Sequence, residues 1–175
     1  VALKRKMAAE DYLMVDLHAF SLNEVDRQYI GVWVKEELEH KIRSISTRKN
    51  LEKEIRSMGR RRFKLKRVHV VDTPQGVPEY VALFHHSPAQ EYNYLEFTTS
   101  REDFGKDMQE RRVSGVNLID YASFLEDGER YYLGVYQQAR YEFQFEVKED
   151  LEMLFEASKE LKEKRGLHLV NTNVY

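Results

Sequence analysis

Three short runs set the problem that this chain has to solve: Tyr29-Ile30-Gly31-Val32-Trp33, Tyr80-Val81-Ala82-Leu83-Phe84 and Tyr132-Leu133-Gly134-Val135-Tyr136. Each reads tyrosine, aliphatic, tiny, aliphatic, aromatic, and the tyrosines stand 51 and 52 residues apart. A fixed period of this size is the signature of an architecture built by repeating one supersecondary unit. The chain is therefore expected to make the same unit several times rather than one irregular fold.

The neighbours of these runs recur as well. Upstream lie strand-like stretches beginning at Tyr12, Phe63 and Val116, and a fourth, Gly166-Leu167-His168-Leu169-Val170-Asn171, matches Gly115-Val116-Asn117-Leu118-Ile119-Asp120. The polar connectors Ser21–Glu24, Thr73–Gly76 and Glu126–Glu129 carry turn-forming residues, so each pair of strands reads as a hairpin with a connector long enough to project. A third strand follows. It is clearest where Tyr141, Phe143, Phe145 and Val147 alternate with Glu142, Gln144 and Glu146, and it recurs at Tyr92–Phe97. His40–Arg43 is the weaker counterpart, in a Glu- and Lys-rich stretch that also suits a helix.

Each unit then closes with an amphipathic helix. Leu51, Ile55 and Met58 share one face, as do Phe104 and Met108, and then Leu151, Leu154, Phe155 and Leu161. Ser100 stands where an N-cap belongs, and Gly59, Gly115 and Gly166 read as helix stops. The expected fold is α+β: tandem units of about 51 residues, each an antiparallel meander of two to three strands plus one helix covering its apolar face, stacked into an arc or ring. The units fall at about 1–46, 47–98, 99–147 and 148–175, the last incomplete, in one repeat-built domain. The chain is expected to be a piece of something longer.

Val113–Asp120 and Arg130–Tyr136, with poorer matches at Val77–Phe84 and Arg27–Trp33, resemble the bacterial tandem-repeat domain of polyglycine hydrolases, found beside β-lactamase-like serine hydrolases. The resemblance implies a non-catalytic array, an accessory to a separate domain that carries a Ser-x-x-Lys nucleophile. Ser158-Lys159-Glu160-Leu161 lacks the lysine where that motif needs it, and the glycine expected before the first strand is Arg62 in the second copy.

Periodicity also weighs the chemically tempting residues. His18 and His69 are 51 residues apart, so they are one position in consecutive units and are expected to stand about one repeat apart in space. His85 and His86 are adjacent on a strand and point to opposite faces. With His40 and His168 these are all the histidines, and a structural role is expected over metal binding. Asp16, Asp120 and Asn171 recur at one place on the first strand, which suits backbone satisfaction better than acid–base catalysis. Tyr29, Trp33, Tyr80, Phe84, Tyr132 and Tyr136 are expected to pack pairwise, i against i+4, under the helices, with Gly31, Ala82 and Gly134 leaving room.

One feature does not recur. Arg60, Arg61, Arg62, Lys64, Lys66 and Arg67 form a dense cationic run interleaved with Phe63, which would suit the phosphates and bases of a single-stranded nucleic acid if the strand were exposed. The alternative is a solvated strand edge protected by its charges. The formal net charge of −2 argues against a surface-wide attraction to polyanions, and no stretch has the length and apolarity of a membrane helix. Lacking cysteine, the chain has no thiolate site, and its compartment stays open. The expected function is a non-catalytic scaffold that binds a protein, peptide or glycan without a cofactor; a polyanion-binding module through the cationic run is the alternative.

Overall fold

The computed structural model describes residues 12–21, 27–36, 38–71, 77–88, 93–138 and 151–166. In chain order the elements are β1 (Tyr12–Ser21), β2 (Arg27–Lys35), β3 (His40–Ile45), α1 (Arg48–Arg60), β4 (Phe63–Val71), β5 (Glu79–His86), β6 (Asn93–Thr98), α2 (Arg101–Val113), β7 (Val116–Glu126), β8 (Glu129–Gln138) and α3 (Leu151–Arg165). The chain is α+β and divides into two compact units, residues 1–138 and 139–175.

The helices begin and end where local chemistry says they should. Thr47 Oγ1 accepts from Asn50 N at 3.2 Å and Ser100 Oγ from Asp103 N at 3.1 Å, so each hydroxyl satisfies an orphan first-turn amide. The stops differ from the glycine reading in one place. Gly59 lies inside α1, and the left-handed residue that ends this helix is Arg62, with φ 61°; Gly115 (φ 76°) and Gly166 (φ 66°) do the same work after α2 and α3. In α3 the expected apolar face is only partly covered: Leu154 and Leu161 are half-buried and Phe155 is exposed.

All strand pairs are antiparallel, and the three hairpins β1-β2, β4-β5 and β7-β8 form as their patterns imply. The connector between β7 and β8 does not project. It is a two-residue turn in which Asp127 and Gly128 both take positive φ, the geometry that matches strand twist; the other two connectors lie largely outside the described residues. The third strands depart from the expected meander. β3 does not pair with β2, nor β6 with β5; β3 lies against β5 and β6 against β8, giving sheet orders β1-β2, β3-β5-β4 and β6-β8-β7. His40–Ile45 is thus a strand, not a helix. Only two residues separate β3 from α1, and β6 from α2, so each third strand travels with the helix that follows it into the next sheet.

This crossover makes β5 and β8 central strands, and both faces of β5 are buried rather than one. Tyr80, Ala82 and Phe84 share a core with Leu51 and Met58 of α1 and with Phe124, Leu133 and Val135 of the β6-β8-β7 sheet. Val81 and Leu83, on the other face, pack with Met14 and Leu17 of β1, and Trp33 of β2 joins them. The Arg48 guanidinium at the start of α1 lies 3.7 Å from the Tyr131 ring centre and pairs with Glu126, tying the helix to β7 and β8. No helix among the described residues is long and apolar enough to cross a membrane.

Of the repeated aromatics, Tyr80 and Phe84 do share one core with Leu51 and Met58 of α1, whereas Tyr29 is exposed. The Tyr80 ring meets Phe97 and Phe124 edge-on at 6.3 and 5.9 Å, and Tyr132 lies 6.2 Å from Phe104. The tiny residue instead serves the aromatic two positions later: a Cβ on Gly134 would come within 2.5 Å of Tyr136, and one on Gly31 within 2.5 Å of Trp33. Gly134→Ala should therefore cost about 1–3 kcal/mol through overpacking, read as a lower urea midpoint. Arg62→Gly should move the midpoint the other way by about 0.5–1 kcal/mol, because glycine takes a left-handed φ without steric cost.

Candidate functional site

The first strands of the three hairpins carry the same irregularity. Val15, Lys66 and Ile119 are each an extra residue in the ladder, so register slips between Met14 and Asp16, Leu65 and Arg67, and Leu118 and Asp120. Each bulge lies opposite the same aromatic–aliphatic step of the second strand, and it re-aims the residue after it. Asp16, Arg67 and Asp120 thereby occupy one equivalent place on three strands, and β4 lies beside both β1 and β7.

These side chains bond across the strands. Arg67 Nε donates to Asp16 Oδ1 at 3.3 Å, and Arg67 Nη1 donates to the Ile119 carbonyl at 3.0 Å. Asp120 Oδ2 accepts from Val68 N at 2.6 Å, a charge-assisted bond between one sheet and the backbone of another. Asp16 is fully engaged as well, since Oδ1 also accepts from Leu17 N and Oδ2 lies 3.3 Å from His18 Nε2. Asn93, at the start of β6, reaches the residue before the bulge in β4: its Oδ1 accepts from Leu65 N at 2.9 Å and its Nδ2 donates to Leu65 O at 3.2 Å. His85 Nε2 makes the corresponding bond to the carbonyl of Met14, at 2.7 Å.

Burial sets the protonation of this seam. Asp120 is only 6% exposed, and burial pushes its carboxyl up to about 6, against the downward pull of Arg67 and of the Val68 and Tyr121 amides. His85 is pushed down to about 4, chiefly by burial and further by the charges of Lys66, His40 and Lys64, so at neutral pH the ring is uncharged and Nε2–H donates to Met14 O.

The histidine spacing is corrected here. His18 and His69 are not a repeat apart: their rings meet edge-on with centroids 5.4 Å apart, because β1 and β4 run side by side. His85 is buried and His86 stacks edge-on with Phe63 at 5.4 Å, so adjacent histidines do take opposite faces; His168 lies outside the described residues, as does Asn171. No cluster of metal-ligating side chains occurs among the described residues.

The cationic run splits in two. Arg60, the last residue of α1, and Arg61 and Arg62 after it are exposed, whereas Lys64, Lys66 and Arg67 are half-buried and Arg67 belongs to the seam. Phe63 is 5% exposed, with Lys41 Nζ 4.0 Å over its ring, so it offers no stacking platform for a base. Sequence reasoning missed Asn93, whose amide copies the donor and acceptor of a strand, and it did not see the bulges. A break of alternation by one residue at the same point of three first strands was the available signal.

The other exceptional surface is β2. Tyr29 and Ile30 are each 55% exposed, Val32 50% and Val34 40%, although the equivalents of Ile30 and Val32 in the other two sheets, Val81, Leu83, Leu133 and Val135, are buried. Among the described residues no strand pairs with the outer edge of β2, the side that β3 takes on β5 and β6 takes on β8. No protein-family model matches this chain, and no curated protein matches it.

The seam makes a pH prediction. Below the ordinary carboxyl value of 3.8, Asp120 is neutral folded or unfolded; between there and about 6 only the folded chain keeps the proton. Its stabilising contribution is therefore complete below that window and is lost as pH rises through it. The melting temperature of the wild type relative to Asp120→Asn should fall between pH 4 and 6; a difference that stays constant would contradict the assignment.

Proposed function

We propose that this chain is a non-catalytic scaffold of β-α-β-β repeats whose exposed strand β2 receives an extended polypeptide partner. Two segments, β3-α1-β4-β5 and β6-α2-β7-β8, follow one pairing scheme with one bulge position, which supports the repeat reading. The polar residues that recur, Asp16, Arg67 and Asp120, spend their bonds on holding neighbouring strands, which favours a structural role for them over acid–base chemistry. The single observation that carries the binding reading is β2, a strand whose outer edge is unpaired among the described residues and which has four exposed apolar side chains. Strand addition supplies main-chain hydrogen bonds along such an edge, and the alternating side chains select the sequence. Displaying random peptides against the immobilised chain should enrich segments with alternating apolar residues, and Val32→Lys should abolish their retention. Enrichment that ignores Val32→Lys, or none at all, contradicts this reading.

The exposure of Arg60, Arg61 and Arg62 gives polyanion binding a narrower form, resting on three arginines rather than six cations. The scaffold reading predicts that wild type and the triple variant Arg60→Glu, Arg61→Glu, Arg62→Glu bind single-stranded oligonucleotide equally weakly at moderate salt. A salt-sensitive loss of about tenfold or more in the variant would favour the polyanion reading instead.

A further inference from the structure

The two junctions between sheets use the same positions and different chemistry. Where β6 meets β8, Asn93 stands opposite Gln137, and the Asn93 amide bonds the backbone of Leu65 in the neighbouring sheet. Where β3 meets β5, His40 stands opposite His85, and the His85 ring bonds the carbonyl of Met14 in β1. His40, His85 and Gln137 are buried and Asn93 is half-buried. The junction to β6-β8-β7 therefore rests on amides, which do not titrate, and the junction to β1-β2 on imidazoles, which do.

The charges around these rings all oppose a proton that arrives while the junction is closed. His85 faces Lys64 and Lys66 of β4 and His40 of β3, and β1 brings a carbonyl, so a protonated ring would be a buried cation among cations. The His18 ring of β1 meets that of His69 in β4 at 5.4 Å, and Arg67 lies on the same strand two residues before His69. Their register partners, Ile30 of β2 and Val81 of β5, add no charge. Asp16 lies 3.3 Å from His18 Nε2 and attracts a charged ring. Both residues are on β1, however, so that pair stays together when β1 leaves and does not hold the junction closed. The His85 ring is held down to about 4 while buried, and solvation returns it to its ordinary 6.5. Its contribution to the closed junction is complete above 6.5 and is lost as pH falls toward about 4. Asp120, at the other junction, acts in the opposite direction over the same range.

We infer that the β1-β2 hairpin is an acid-released element, which separates from the β3-β5-β4 sheet as a unit while that sheet stays joined to β6-β8-β7. The topology permits this. β1 and β2 pair only with each other among the described residues, so the hairpin leaves without breaking a ladder hydrogen bond to another strand. Separation exposes Met14, Leu17, Val81 and Leu83, which keeps the open state a minority at neutral pH, and acid raises its population.

Amide hydrogen exchange of the full chain, followed residue by residue as protection factors, tests this. A two-stranded hairpin is marginal on its own, so release exposes the amides of β1 and β2. Their protection should fall about tenfold or more from about pH 7 to about pH 5, while the amides of β7 and β8 keep theirs. His85→Gln places in β5 the side chain that β8 carries at Gln137, an amide able to donate to the Met14 carbonyl without titrating. This variant should lose most of the fall. Hairpin protection that is the same at both pH values overturns the inference, as does a fall shared equally by β7 and β8, or one as steep in His85→Gln as in the wild type. Should the variant not fold, the wild-type comparison of β1-β2 with β7-β8 decides by itself, since only local release separates the two hairpins.

Discussion

The bond from Val68 N to Asp120 Oδ2 is the interaction on which the rest of this arrangement depends. A strand at the edge of a small sheet carries backbone donors and acceptors that burial would leave unsatisfied, at about 1–3 kcal/mol for each group. β4 is such an edge, yet it lies against β1 and β7 instead of facing water. Its amides are met by side chains from other sheets, Val68 by Asp120 and Leu65 by Asn93. The bulges make this possible, since one extra residue aims Asp16, Arg67 and Asp120 toward the neighbouring strand.

From that constraint the packing follows. Strands held side by side bring their sheets face to face, so β5 is apolar on both faces and buries Tyr80, Ala82 and Phe84 on one side and Val81 and Leu83 on the other. A continuous apolar run, Tyr80–Phe84, is the composition of a strand buried on two faces, where a half-solvated hairpin would alternate. β2 has the same composition but leaves Ile30 and Val32 exposed, and among the described residues no strand pairs with its outer edge.

Much of this was legible in the sequence. The Tyr-aliphatic-tiny-aliphatic-aromatic runs located β2, β5 and β8, Ser100 located the start of α2, and Asp16 and Asp120, read as meeting backbone groups, accept from Leu17 N and Val68 N. What was not legible is long-range. Pairing of β3 with β5 rather than β2 leaves no local trace, since antiparallel neighbours on either side satisfy the same period of two. Phe63 looked exposed because cations surround it, but alternation sends Phe63 and Leu65 into the core while Arg61 and Arg62 stay outside. The contact of His18 with His69 depends on β1 and β4 being neighbours, which sequence spacing alone does not encode.

Native-state hydrogen exchange at two amides tests the central claim most directly. Leu65 N and Val68 N belong to an edge strand, and their hydrogen-bond partners are the side chains of Asn93 and Asp120. If the side-chain seam joins the sheets, both amides exchange as slowly as those of the central strand β5, and Asn93→Ala releases Leu65 selectively. Exchange of Leu65 and Val68 at the rate of freely solvated edge amides in the wild type would contradict the account.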